Sequence, residues 1–145
     1  MYILAAASPT HSIPATVYHE GWAEKGAIVD PHKVEDIELH LRYQGCEASP
    51  LFWAHYSFLG LDPTNLSDKY CPGYFNEMRN LTLINRAYCI RNPKQWKGFG
   101  PDCWGLTASY SVNGYSAHAP NESADHGVIS PTAALSSIVY TPEYS

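Results

Sequence analysis

The stretch P-G-Y-F-N-E-M-R-N-L-T-L-I-N-R-A-Y-C-I-R-N-P, from Pro72 to Pro93, decides how the rest of the chain is read. Phe75, Met78, Leu81, Leu83, Ile84 and Tyr88 recur mostly at the three- and four-residue spacing that lines one side of an α-helix. Pro72 suits a first helical turn, where its missing N–H removes no bond, and Pro93 cannot continue the ladder. The spacing predicts a helix over Pro72 to Arg91. The same punctuation recurs outward from it. Ser49-Pro50, Ser130-Pro131 and Thr141-Pro142 each place a hydroxyl able to cap a helix just before a proline. They predict helices from Pro50 to Leu59 and from Pro131 to Ile138, and a helix start at Thr141. A further helix is expected from Ala15 to Lys25, stopped by Gly26. Ile37, Leu39 and Leu41 alternate with polar residues, as in a short strand or hairpin arm.

Between Asn92 and Ser130 periodicity is weak. Gly98, Gly100, Gly105, Gly114 and Gly127 interleave there with Trp96, Phe99, Trp104, Tyr110 and Tyr115. Long loops in compact domains are commonly functional or mobile, and the aromatic content favours function, since mobile linkers are poor in Trp and Tyr. The two ends also carry information. Tyr2 to Ala7 reads as helix with no capping residue before it, and Thr141-Pro142-Glu143 opens a helix that Ser145 cuts short. Such ends leave backbone groups without partners, so the expectation is a section of a larger domain, truncated at both ends.

The 145 residues fit one domain in size, and a hydrophobic fraction of 45% permits a core. Charged residues are only 16% and aromatics 13%, a balance that excludes a disordered chain and suits a cleft lined by flat rings. The formal net charge of -5, with no Lys/Arg cluster, gives no footprint for nucleic acid or anionic lipid. The longest apolar run, Met1 to Ala7, is too short to span a bilayer and lacks the basic flank of a signal peptide. Cys46, Cys71, Cys89 and Cys103 contain no C-x-x-C pair, so buried free thiols are expected, with one bridge open in an oxidising compartment. No H-E-x-x-H, phosphate loop or G-x-S-x-G elbow occurs, and neither a metal nor a cofactor is expected.

Several long motifs in order resemble the glucoamylase-like domain family of bacterial glycoside hydrolases, whose relatives include endo-β-1,2-glucanases and a domain of cyclic β-1,2-glucan synthases. The motifs are Y-I-L-A-A-A-S-P-T-H (Tyr2 to His11), P-L-F-W-A-H-Y-S-F-L-G-L-D-P (Pro50 to Pro63) and N-L-T-L-I-N-R-A-Y-C-I-R-N-P (Asn80 to Pro93). They continue through G-P-D-C-W-G-L-T-A-S-Y (Gly100 to Tyr110), G-Y-S-A-H-A-P (Gly114 to Pro120) and G-V-I-S-P-T-A-A-L-S-S-I-V-Y-T-P-E (Gly127 to Glu143). The resemblance implies an all-α fold, the C-terminal half of an (α/α)6 toroid with a long aromatic, Gly-rich loop region. It implies a β-glucan substrate, β-1,2-glucan foremost, and a periplasmic or secreted location. It also implies that the catalytic carboxylates lie upstream, one in a W-N-E-type motif before Tyr2, in the missing N-terminal half of the same domain. No catalytic residue is therefore assigned within the chain.

Glycoside hydrolysis ordinarily needs two carboxyl groups flanking the scissile bond. The loop region supplies Asp102, Glu122 and Asp125, and Glu143 follows. Asp102, close to Trp104, is placed among substrate-contact residues, with a turn role as its alternative. Glu143 fits a helix start, where a carboxylate favours the dipole. Pyranose C–H faces pack on aromatic rings, and their hydroxyls need directed hydrogen bonds. Trp104, Tyr110, Tyr115 and His118 combine both capacities, and His11, after Ser8-Pro9-Thr10, sits where a helix gives way to a loop. A buried loop anchor is the alternative for Trp104, and a loop-fixing bond for His11. His55 and Tyr56 are expected in the core or on a cavity wall, and Asn85 as a bridge between helices. A non-catalytic carbohydrate-binding or interaction module is the rival to the enzyme section.

Overall fold

The computed structural model describes residues 1–43 and 48–145. Cys46 therefore lies outside the described residues. The described residues are mostly helical, with two small antiparallel hairpins among them, so the all-α expectation is corrected to a mixed one. The helices are α1 (Tyr2–Ala6), α2 (Ala15–Val17), α3 (Leu51–Tyr56), α4 (Tyr74–Arg91) and α5 (Pro131–Ser136). The strands are β1 (Val29–Val34) with β2 (Ile37–Leu41), and β3 (Ser109–Ser111) with β4 (Gly114–Ser116).

Helix α4 is the axis around which the rest is arranged. Met78, Leu81 and Ile84 face a cluster with Leu39, Val34, Ala54 and Tyr140. One turn on, Tyr88 and Cys89 face a second cluster with Leu51, Trp104, Leu106 and Ala133. Burying each of the larger side chains contributes about 1.5–3 kcal/mol. The helix stops at Asn92, whose left-handed backbone (φ 46°, ψ 63°) lets its N–H donate to the Tyr88 carbonyl at 2.8 Å. The Asn92 side chain then accepts from the Trp96 N–H at 2.8 Å and donates to its carbonyl at 2.9 Å. Helix α4 thus ends at Arg91, as the spacing predicts, and begins at Tyr74, two residues after Pro72.

The helix-start signals are only partly realised. The helices begin near Pro50 and Pro131, but neither α3 nor α5 has a side-chain cap bond. The Ser49 hydroxyl is buried without a partner. After Thr141 the chain makes a turn, closed by the Tyr144 N–H on the Thr141 carbonyl at 3.0 Å. The Thr141 hydroxyl reaches back toward Ser137 instead of capping forward. The helix expected from Ala15 to Lys25 breaks into α2, a wide π turn over Tyr18–Trp22 and a tight turn over Glu24–Gly26. Glu24 and Lys25 take positive φ (46° and 59°), which no continuous helix accommodates.

Strand β2 matches its alternation, with Leu39 and Leu41 buried against α4 and its neighbours. Glu77 fixes this hairpin to α4 from within. Its fully buried carboxylate accepts from the backbone N–H groups of His40 at 3.1 Å and Leu41 at 3.0 Å, and from the Tyr43 hydroxyl at 2.8 Å. Asn85 does not bridge two helices. It ties α4 to the loop backbone, accepting from Leu106 N–H at 2.9 Å and donating to its carbonyl at 3.0 Å. That pairing holds the middle of the aromatic loop region against the helix.

Candidate functional site

The long loop region contains the hairpin β3–β4, too short to announce itself by alternation. Its register pairs Tyr110 with Tyr115. The two rings meet edge to face with centroids 5.2 Å apart, an arrangement that matches aromatic quadrupoles. They are 79% and 62% exposed, which leaves ring surface open to a ligand. Gly114, at φ +97°, makes the turn between them.

Below the hairpin lies His118, which is fully buried. Its Nε2 meets the Ser116 hydroxyl at 3.3 Å, and its ring lies edge to face with that of His126 at 5.5 Å. Its Nδ1 is buried without a partner. Burial, and secondarily the neighbouring His126, push the His118 imidazole below its ordinary pKa, opposed by Asp125. Asp125 is buried too, accepting from the Tyr88 hydroxyl at 3.1 Å and the Gly127 N–H at 3.0 Å. Lys94 donates to its carbonyl at 2.7 Å. Trp96 covers Gly127 so closely that a Cβ there would sit 2.8 Å from the indole.

The other sequence-predicted residues lie in different settings. Trp104 is 3% exposed and packs with Leu51, Tyr88 and Leu106, anchoring the loop. Beside it Gly105 adopts φ +122°, and a Cβ would approach the Ser130 carbonyl to 2.7 Å. Asp102 is exposed in the tight turn closed by mutual backbone bonds between Gly100 and Cys103. The same turn exposes Cys103, a correction to the expected burial of that thiol, while Cys71 and Cys89 are free and buried. Burial raises their thiols to about 11 and about 12. His11 is exposed and bonded within its own loop, Nδ1 to the Thr10 hydroxyl at 3.0 Å and its N–H to Ser8 Oγ at 3.1 Å. The structure thus brings together Tyr110, Tyr115 and, through Ser116, His118.

His55 stacks on Tyr140 and meets the hydroxyls of Ser137 at 3.1 Å and Ser136 at 3.2 Å. Tyr56, expected in the core or on a cavity wall, is instead exposed. It lies on the solvent side of a helix too short to bury both faces.

Sequence reasoning missed a second polar centre. Asp68 accepts from the hydroxyls of Tyr18 and, at 2.9 Å, Tyr74, and from the N–H groups of Tyr70 at 2.8 Å and Cys71 at 2.9 Å. Burial would raise its carboxyl pKa, but these donors outweigh it and hold the group below its ordinary value. Three of the partners lie within six residues of Asp68, but the fourth, Tyr18, is 50 positions away, and no local motif reveals it. Asp62 is likewise committed, to the Thr64 hydroxyl at 2.6 Å and N–H at 2.9 Å. Among the described residues no group of three His, Cys, Asp or Glu could hold a metal, and no helix is long and apolar enough to cross a membrane.

Comparison with known proteins places this architecture. Residues 1–145 match the family described as Putative glucoamylase. A putative glucoamylase from Bacteroides caccae, 82% identical, superposes with a TM-score of 0.95 over 99% of this chain and 35% of that one. An endo-beta-1,2-glucanase from Chitinophaga pinensis, solved in complex with sophorotriose and glucose, is 62% identical. It superposes with a TM-score of 0.94, covering 99% of this chain and 34% of its own. The exo beta-1,2-glucooligosaccharide sophorohydrolase (non-reducing end) of Parabacteroides distasonis is 38% identical, matched over 99% of this chain and 22% of its own length. The chain thus spans 34–35% of these two solved relatives, about a third of their length. With every residue inside the family match and the fold shared at this level, the chain belongs to the Putative glucoamylase family.

Proposed function

We propose that this chain is one section of a glycoside hydrolase that acts on β-1,2-glucan, and that it supplies cavity wall and sugar-contacting aromatics rather than the catalytic acid. The observation that carries the reading is the 62% identity, at a TM-score of 0.94, to a β-1,2-glucanase solved with sophorotriose and glucose. In this reading the helices form part of an (α/α)6 toroid, the domain continues beyond the 145 residues, and the parent protein works in the periplasm or outside the cell.

The state of the carboxylates supports placing catalysis elsewhere. Asp102 and Glu122 are exposed on the loop region. Of the wholly or partly buried carboxylates, Glu77, Asp68 and Asp125 are each engaged by internal donors. A general acid must instead present its proton to a glycosidic oxygen, with a second carboxylate across the bond. Tyr110 and Tyr115 have what a sugar subsite requires: open ring faces beside hydroxyls. The isolated chain should release no reducing ends from β-1,2-glucan, whereas a protein joining it to the rest of the domain should. Turnover by the isolated chain would overturn this assignment of roles.

A binding module is the second reading, favoured by the exposed pair on the hairpin. Titration of the isolated chain with sophorotriose, monitored by calorimetry, separates the two. Saturable binding together with cooperative unfolding supports the module.

A further inference from the structure

The two arms of the hairpin β3–β4 leave the interior differently. The arm entering β3 is bolted to the helices. The Leu106 carbonyl accepts from the Leu51 N–H at 3.1 Å as well as from Asn85, and Thr107 Oγ1 accepts from the Phe52 N–H at 3.1 Å. The arm leaving β4 runs through Ser116 and the exposed Ala117 to His118 and Ala119, which are both buried. The side-chain hydrogen bond that ties this arm joins Ser116 Oγ and His118 Nε2 at 3.3 Å. Among the described residues neither strand packs broadly on a helix, and a hairpin of three pairs is marginal in water by itself. The direction in which Tyr110 and Tyr115 point is therefore set at the base.

That base is incompletely bonded. His118 Nδ1 and Ser109 Oγ are buried without partners, and Ser109 pairs in register with Ser116, the residue that His118 holds. Swinging the outgoing strand outward would hydrate both atoms, against the loss of the Ser116 bond and of the ring's burial. Opposed terms of this kind make an element with two arrangements. The charge on the imidazole biases the choice, because a buried neutral ring is tolerated and a buried imidazolium needs a counter-charge. Two titratable groups face the ring: His126, edge to face, and Asp125. Asp125 is itself committed to the Tyr88 hydroxyl of α4 and the Gly127 N–H, with Lys94 on its carbonyl. Its attraction is outweighed, since burial and His126 hold the ring below its ordinary pKa. We propose that His118 is the positioning residue of the Tyr110–Tyr115 pair: seated neutral in the base it keeps β3–β4 closed, and its protonation releases the outgoing strand. This rests on the reading of the two tyrosines as a sugar subsite, and adds how the pair is aimed and what disengages it. Closure is the binding-competent state, so apparent affinity scales with the closed fraction and falls as pH drops through the folded-state pKa of His118.

The test follows the ring pair and the sugar separately, in the whole protein that contains this chain. 3-Fluorotyrosine in place of Tyr115 reports the edge-to-face contact by fluorine NMR. Its resonance should shift between pH 7 and pH 5, with a midpoint below the ordinary histidine value of about 6.5. His118→Gln, neutral throughout and still able to bond Ser116, should abolish the shift and keep the closed-state resonance. Ser116→Ala, which leaves the imidazole in place, should uncouple the resonance from pH. Sophorotriose affinity, read by calorimetry, should fall about fivefold over the same range in the unmodified protein and less than about twofold in His118→Gln. A resonance that does not titrate, a shift that survives either His118→Gln or Ser116→Ala, or one that vanishes in His126→Asn would each overturn the proposal. A shift that follows His118 while sugar affinity stays constant would leave the hinge standing and count against the sugar subsite. Affinity that falls with pH while the resonance stays fixed would do the reverse.

Discussion

The two flanks of α4 solve opposite problems. On the side of β1–β2, polar groups taken into the interior are answered: Glu77 meets two backbone N–H groups and a tyrosine hydroxyl, and Asp68 meets four donors. On the side of the loop region Asn85 and Asp125 are answered as well, but His118 Nδ1 and Ser109 Oγ are buried unanswered, and Tyr110, Val112 and Tyr115 stand in solvent. A satisfied interior resists rearrangement, because every shift breaks a bond that water cannot replace. A partly unsatisfied one with exposed rings retains hydrogen-bonding capacity for something else. In the proposed reading, the contrast separates a region built to hold its shape from one that receives a ligand.

The largest expected effect tests the first half of that contrast. Glu77→Ala strands the N–H groups of His40 and Leu41 and should cost about 4 kcal/mol, read as a shift in the urea midpoint. A loss under 1 kcal/mol would mean that the hairpin is held by packing alone. Gly127→Ala probes the frame of the receiving region. A Cβ 2.8 Å from the Trp96 ring, on a backbone at φ +72°, should cost about 2 kcal/mol and alter Trp96 fluorescence.

His118 supplies a smaller, pH-dependent effect. Its folded-state pKa is depressed, chiefly by burial, so below the unfolded value of about 6.5 the unfolded chain binds the extra proton first. Its contribution is therefore complete above that pH and falls as pH drops toward the folded pKa, by up to about 1.4 kcal/mol per pH unit. His55, also depressed by burial, acts with the same sign. His118→Gln should flatten part of the stability profile between pH 7 and 5, and an unchanged slope would assign it to His55. The smallest stability effect is expected at the exposed pair. Tyr110→Ser and Tyr115→Ser should move stability by no more than about 0.5 kcal/mol. If the proposed function holds, they should weaken sophorotriose binding by the assembled protein measurably.

The difference between the flanks also explains how far the sequence could be read. Helix α4 and strand β2 were legible because their apolar spacing is local and repeated. Even there the periodicity singled out Phe75 and Leu83, which end partly buried, and passed over Glu77 and Thr82, while Asn85, expected to bridge helices, is wholly buried against the loop backbone. Thr82 goes inside by bonding back to the Met78 carbonyl one turn earlier, whereas the partners of Glu77 and Asn85 come from distant segments, and no spacing rule carries that information. The capping hydroxyls of Ser49 and Ser130 were misread for a related reason: a proline start already sets the backbone for the first turn. In the loop region the aromatic content marked Tyr110 and Tyr115, but nothing in it separated those open rings from the enclosed indole of Trp104. That separation depends on an eight-residue hairpin, Ser109 to Ser116, and on Asn85 holding Leu106, both visible only in three dimensions.

The Glu77 clasp has one more consequence. Because a side chain of α4 closes the N–H groups of a strand 36 positions away, those amides cannot open to solvent unless the carboxylate withdraws. Hydrogen exchange at His40 and Leu41 would then follow the lifetime of the helix rather than that of the hairpin, making two strand amides a local clock for the stability of α4.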